Sequence, residues 1–186
     1  MCPVCFRALP VPMGDVSFRH GDGDDMVAAY AYDYPVDVLV KHLKYGRRLD
    51  LAKLLARGLA YRLRGAPRPD ACLAMPLSER RWRERGYNQA SEIAAPLARW
   101  LSVPMIDPVV RIRHTSAQAS MGHAARQENV AGAFQCQMSL QGWHVAVVDD
   151  VMTTGATFRE VARVLRSQGA RKVSAWVVAY TPLREW

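Results

Sequence analysis

The chain has 186 residues, with 25 Lys and Arg against 17 Asp and Glu, a formal net charge of +8. That length suits one domain able to bury a sizeable core, and the basic balance favours polyanionic partners. No apolar run reaches membrane length and no basic segment leads into an apolar core at the N-terminus, so the expectation is a cytoplasmic protein without membrane insertion.

Residues 1–25 show no clear periodicity. Cys2-Pro-Val-Cys5 has the spacing of half a tetrahedral zinc site. The other half is missing and His20 is the nearest conceivable third ligand, so a redox pair or a remnant is the expectation. The polar, glycine-bearing stretch from His20 to Asp25 divides this N-terminal piece from a core at 26–186. From Met26 to Tyr34 the chain is apolar and aromatic enough for a strand or hairpin, ended by Pro35. Then Val36, Leu39, Val40 and Leu43 fall on one helical face, with Lys41 and Lys44 off it. Leu51, Leu54, Leu55 and Leu59 repeat the pattern in a second helix.

Pro67 and Pro69 mark a loop, and Asp70 to Met75 reads as a short buried strand ending at Pro76. Cys72 and Cys136 read as small apolar residues. The run from Pro76 to Ala90 holds Arg80, Arg81, Arg83 and Arg85 against Glu79 and Glu84. Taken alone it is a solvated turn and first helical turn with Trp82 packing, but it follows a strand end, where sheets of this kind gather ligands. Ile93, Leu97 and Leu101 continue a helix from about Tyr87, which Pro96 should kink or restart. Val109 to Arg113 suggests a strand, followed by a polar, basic stretch to Asn129.

The most informative stretch is Val145 to Thr157, VAVVDDVMTTGAT. Val145, Ala146, Val147 and Val148 run without polar interruption, as in a strand buried on both faces of a parallel sheet. Asp149 and Asp150 follow, then Thr153, Thr154, Gly155, Ala156 and Thr157, then Phe158, Val161, Ala162 and Leu165 at helical spacing. A helix N-terminus with free N–H groups, added hydroxyl donors and a glycine that permits close approach is suited to a phosphate monoester. Adjacent strand residues point to opposite faces, so the two acids serve one ligand only if the chain leaves strand geometry there. A sugar with two neighbouring hydroxyls suits both. The competing readings are an ordinary strand-to-helix turn capped by Thr153 or Thr154, and a metal site on the two aspartates. Beyond the helix, Gly169 is a natural C-terminal cap and Val173 to Ala179 a further buried strand.

The stretch from Val145 to Thr157 resembles the phosphoribosyl pyrophosphate (PRPP) motif of type I phosphoribosyltransferases, a hydrophobic strand, two acids, then Thr-Thr-Gly-x-Thr. The resemblance implies an α/β fold with a mainly parallel sheet and flanking helices. It implies a pyrophosphate loop at Pro76, Leu77 and Ser78, with Arg80 beside it, and a flexible loop containing Arg113, Gln118 and Arg126 that closes over PRPP. Pro76-Leu77 with its arginines, Arg85-Gly86-Tyr87-Asn88-Gln89-Ala90, and the positions Arg113, Thr115, Gln118, Arg126, Asn129 and Gly132-Ala133-Phe134 are similar to the competence protein F (ComF) family. Met121 stands where a leucine is expected. ComF proteins usually begin with a four-cysteine zinc ribbon, so with one CxxC the expectation is a start further upstream or a degenerate ribbon.

By this resemblance the activity is transfer of phosphoribose from PRPP to a nitrogen acceptor, with Mg²⁺ carried by the PRPP. Thr153, Thr154, Gly155, Ala156 and Thr157 would grip the 5′-phosphate, and Asp149 and Asp150 would hold the ribose hydroxyls as catalytic residues. The alternative is a non-catalytic module for single-stranded DNA uptake, with DNA or competence proteins as partners, in which arginines interleaved with Trp82 and Tyr87 bind the strand by charge and stacking.

Overall fold

The computed structural model describes residues 9–11, 18–20, 24–112 and 130–181. Its elements are β1 (Phe18–His20), β2 (Asp24–Ala31), α1 (Val36–Tyr45), α2 (Asp50–Arg62), β3 (Ala71–Ala74), α3 (Glu79–Arg85), α4 (Gln89–Leu101), β4 (Val109–Arg111), β5 (Phe134–Cys136), β6 (His144–Met152), α5 (Ala156–Ser167) and β7 (Lys172–Tyr180). Five strands form one sheet in the order β1-β2-β7-β6-β3. β2, β7, β6 and β3 run parallel, and β1 closes the β2 edge antiparallel.

The sequence pattern explains this order. β6 and β7 are buried along almost their whole length, which is why their apolar runs do not alternate with polar residues. α2 packs on α4, and these helices lie against the sheet, while α5 packs on β7 and β5. The stripe foreseen on α5 is the buried one: Phe158, Val161, Ala162 and Leu165 all face the core. Gly58 on α2 lets that helix approach β2, since a Cβ there would lie 1.9 Å from the Tyr30 hydroxyl. Ala71 pairs with Val145 and Ala74 with Val148, so β3 ends beside Val148 while β6 runs on to Met152. The loops that follow them leave the same end of the sheet.

Several boundaries differ from the sequence reading. β2 begins at Asp24 and pairs back onto β1, so position 25/26 lies inside a strand rather than between two pieces. Leu9 is buried in the core and the Pro10 carbonyl accepts the Ala31 N–H at 3.0 Å. The arginine-rich run forms a helix of its own, α3, capped by Ser78 and ended by Gly86 at φ 79°. α4 runs from Gln89 to Leu101 as one helix with Pro96 buried inside it, so the expected restart does not occur. β5 was not foreseen; it pairs antiparallel with β4. Its three residues are too few for a period to show. Arg113, Gln118 and Arg126 lie outside the described residues, as do Cys2 and Cys5.

Candidate functional site

The site is built on the carboxyl end of β6. The strand does not stop before the acids but continues through Asp149 and Asp150 to Met152. Pairing with β7 continues unbroken, Asp149 opposite Val177 and Val151 opposite Ala179, so the departure from strand geometry expected for shared ligation does not occur. Asp150 donates its N–H to its neighbour's Oδ1 at 2.8 Å, so the Asp149 carboxylate folds back along the strand. Asp150 is 3% exposed and Asp149 half-buried. Burial, and then the charge of Asp150, push the Asp149 carboxyl well above the usual carboxylate range, while Lys44 pulls it down.

Lys44 was read as lying off the apolar face of α1, and it does, but it does not face solvent. Its Nζ lies 2.7 Å from Asp150 Oδ2. That ion pair joins the last turn of α1 to the end of β6. No local pattern announces it, because the partners lie far apart in the sequence.

After Met152 the chain turns through Thr153 and Thr154 to Gly155, whose φ of 72° places it in the left-handed region that favours glycine. Gly155 is the residue before α5 and has no side chain with which to cap it. The Thr154 hydroxyl accepts the Ala156 N–H at 3.3 Å, and the Thr154 carbonyl accepts from Arg159 Nη1 at 2.8 Å. Thr153 is exposed, and Thr154 and Thr157 are partly buried. Arg159 was also missed by the sequence reading, although its place one helical turn after Gly155 is the signal that could have found it. It lines an open cleft of about 740 Å³ together with Ala156, Glu160 and Arg163. Gly155 and Ala156 are buried, and the hydroxyls, the helix start and the guanidinium are groups of the kind that suit an anion.

The second loop, after β3, is arranged differently. Met75 donates its N–H to the Val148 carbonyl at 2.8 Å, extending the pairing by one residue before Pro76. Pro76, Leu77 and Ser78 are half-buried, and Ser78 Oγ accepts the Arg81 N–H at 3.4 Å. Arg80 is exposed and lies 3.5 Å from Glu84, while Arg83 pairs with Glu79. These arginines form a solvated helix face.

The run Arg85-Gly86-Tyr87-Asn88-Gln89 serves as scaffold. Arg85 is buried, donates to Gln89 Oε1 at 2.7 Å and lies over the Tyr45 ring at 5.0 Å. Tyr87 donates its hydroxyl to the Leu43 carbonyl. Asn88 caps α4 through the Ala90 N–H at 3.0 Å and donates to the Met75 carbonyl at 3.0 Å. The run thus fixes the end of β3 to the last turn of α1, the same turn that carries Lys44.

Comparison with known proteins agrees with this construction. Residues 88–185 match the phosphoribosyl transferase domain. Over 74% of its length the chain superposes on glutamine PRPP amidotransferase from B. subtilis, with a TM-score of 0.51 and 20% identity, covering 30% of that enzyme. The fold is thus that of the type I phosphoribosyltransferases. Among sequence relatives, it is 35% identical over 97% of its length to DNA utilization protein YhgH of Salmonella typhi, spanning 84% of that protein. It is 35% identical over 84% of its length to competence protein F of Haemophilus influenzae, spanning 72% of it. The chain belongs to the ComF family of phosphoribosyltransferase-like proteins.

Proposed function

We propose that the chain binds PRPP at the carboxyl edge of the sheet and transfers its phosphoribosyl group to a nitrogen acceptor. The observation that carries this reading is the pairing, on one strand end, of two acids, Asp150 buried and Asp149 half-buried, with a hydroxyl-rich helix start. Thr153 to Thr157 take the 5′-phosphate through backbone N–H groups and hydroxyls, with Arg159 adjoining. Asp149 and Asp150 take the ribose hydroxyls. In the reaction the C1′–O bond to pyrophosphate breaks, the leaving group departs with the electron pair, and a C1′–N bond forms. The sugar ring is cationic between these events, so the nearby carboxylates stabilise it. Pro76 to Ser78 receive the pyrophosphate, with Arg80 at the rim. The Mg²⁺ would be carried by the PRPP's own oxygens, where it offsets phosphate charge.

Titration calorimetry of the purified chain with PRPP and Mg²⁺ tests the reading, repeated on Asp150→Asn. Binding by the unmodified chain that falls by about a hundredfold or more in the variant is expected, since a buried charged hydrogen-bond acceptor is lost. Absence of binding by the unmodified chain would end the proposal.

A second reading, single-stranded DNA binding, is favoured by one observation. Trp82 is 52% exposed in a cleft of about 580 Å³ that also takes in Pro76, Leu77, Met105 and Arg111. An exposed indole beside a guanidinium suits base stacking. A Trp82→Ala variant that bound an oligonucleotide as well as the unmodified chain would remove that support.

A further inference from the structure

Lys44 has no part in the reading above, yet it is the charged side chain set closest to the acids. Its ammonium is 2.7 Å from Asp150 Oδ2, the two side chains being 20% and 4% exposed. Burial disfavours the charged form of a carboxyl, whereas an adjacent cation favours it.

The position of Lys44 is fixed from both sides. Leu43, just before it, holds the Tyr87 hydroxyl through its carbonyl, and Tyr45, just after it, lies under the Arg85 guanidinium. The turn is tied to the scaffold run, which holds the end of β3 in turn through Asn88. The ammonium is therefore delivered to the acids by an anchored helix end rather than by a free side chain.

Among the described residues, the charges that act on Asp149 are those of Asp150 and Lys44. Around the acids in the sheet stand Ala74 on β3 and Val177 to Ala179 on β7. On β6 itself the titratable neighbour is Asp149, and on α1 it is Lys44.

We infer that Lys44 is the positioning residue of the acidic pair, holding Asp150 as a carboxylate that accepts from the sugar hydroxyls and leaving Asp149 as the member able to donate a proton. The inference rests on the sugar-phosphate reading and assigns different roles to two acids that look alike in the sequence. The raised Asp149 carboxyl agrees with it, since burial and the Asp150 charge both favour its protonated form. The Lys44 ammonium, 2.7 Å from Asp150, offsets negative charge at the pair. A polyanionic sugar phosphate then approaches without the repulsion that two bare carboxylates would exert.

The test is the pH dependence of PRPP binding, with Mg²⁺, by the unmodified chain, Lys44→Gln and Lys44→Arg, read by calorimetry from pH 6 to pH 9. The ratio of variant to unmodified Kd cancels the ligand's own titration. Without the ammonium, Asp150 takes up a proton at the acid end. Lys44→Gln should therefore lose affinity most at pH 6, by about thirtyfold, and recover to within about threefold by pH 9. Lys44→Arg should follow the unmodified profile. A loss in Lys44→Gln that is the same at every pH, or no loss, overturns the inference while leaving the PRPP reading in place. If Lys44→Gln does not fold, Lys44→Arg decides: an acid-sensitive loss despite its retained charge overturns the inference, and an unmodified profile supports it. No binding by the unmodified chain removes both readings together.

Discussion

Two loops leave adjacent strands at the same edge of the sheet, and they use charge in opposite ways. After β3 the arginines are numerous, exposed and paired with glutamates one helical turn away. After β6 there are few charges, but Asp150 is buried and its cation comes from a different helix. Exposed pairs within a helix exchange one solvated partner for another and contribute little, whereas a buried pair fixes the geometry of every element that supplies it. The more conspicuous charge run in the sequence is thus the less constrained part of the site, apart from Arg85, which has left the solvated face for the core.

Breaking the scaffold side of this contrast should have the largest effect on stability. Arg85→Ala removes a buried guanidinium that holds Gln89 and covers Tyr45, and should cost about 2–4 kcal/mol in urea unfolding. A loss below 1 kcal/mol would mean that the run is not scaffold. Next comes Asn88→Ala, which removes the α4 cap and the bond to the Met75 carbonyl, with about 1–2 kcal/mol expected from the same measurement. Gly155→Ala places a side chain in the left-handed region and should cost roughly 1–2 kcal/mol, with a weaker 5′-phosphate grip in calorimetry. At the other extreme, Arg83→Ala on the exposed face of α3 should leave unfolding within about 0.5 kcal/mol of the unmodified chain. A larger change would erase the distinction between the two loops.

The opposite edge of the sheet supplies a pH-dependent check. His144 is buried, with its Nε2 2.8 Å from the Ser174 hydroxyl, and burial first, then the Lys172 charge, lower its pKa. Below an unfolded value of about 6.5 the unfolded chain takes up the proton before the folded one does. The contribution of His144 is therefore complete above that pH and is lost as the pH falls through the lower folded value. The melting temperature should drop on acidification below about pH 6.5, and the drop should be smaller in His144→Gln.

How far the sequence could be read depended on the range of each signal. The apolar run Val145 to Val148 and the stripe Phe158, Val161, Ala162 and Leu165 encode burial in a local period, and both appear as foreseen. The neighbouring acids, threonines and glycine were legible because loop chemistry is also local. Lys44 was not, because an ion pair between distant segments leaves no periodic trace. Arg85, Tyr87 and Asn88 were visible as a pattern, but their work as anchors depends on Tyr45, Leu43 and Met75, which only the fold brings near. A restart at Pro96 does not occur, because the helix runs on through a proline buried in the core where an isolated helix would be interrupted.

The direct pairing of β3 with β6 also acts as a ruler. Strands in a sheet stand about 4.8 Å apart, a spacing set by backbone hydrogen bonds rather than by side chains. The separation between the two loop origins is therefore set by that spacing and by the run of β6 from Val148 to Met152, and changes in loop sequence can alter each loop without altering where it begins.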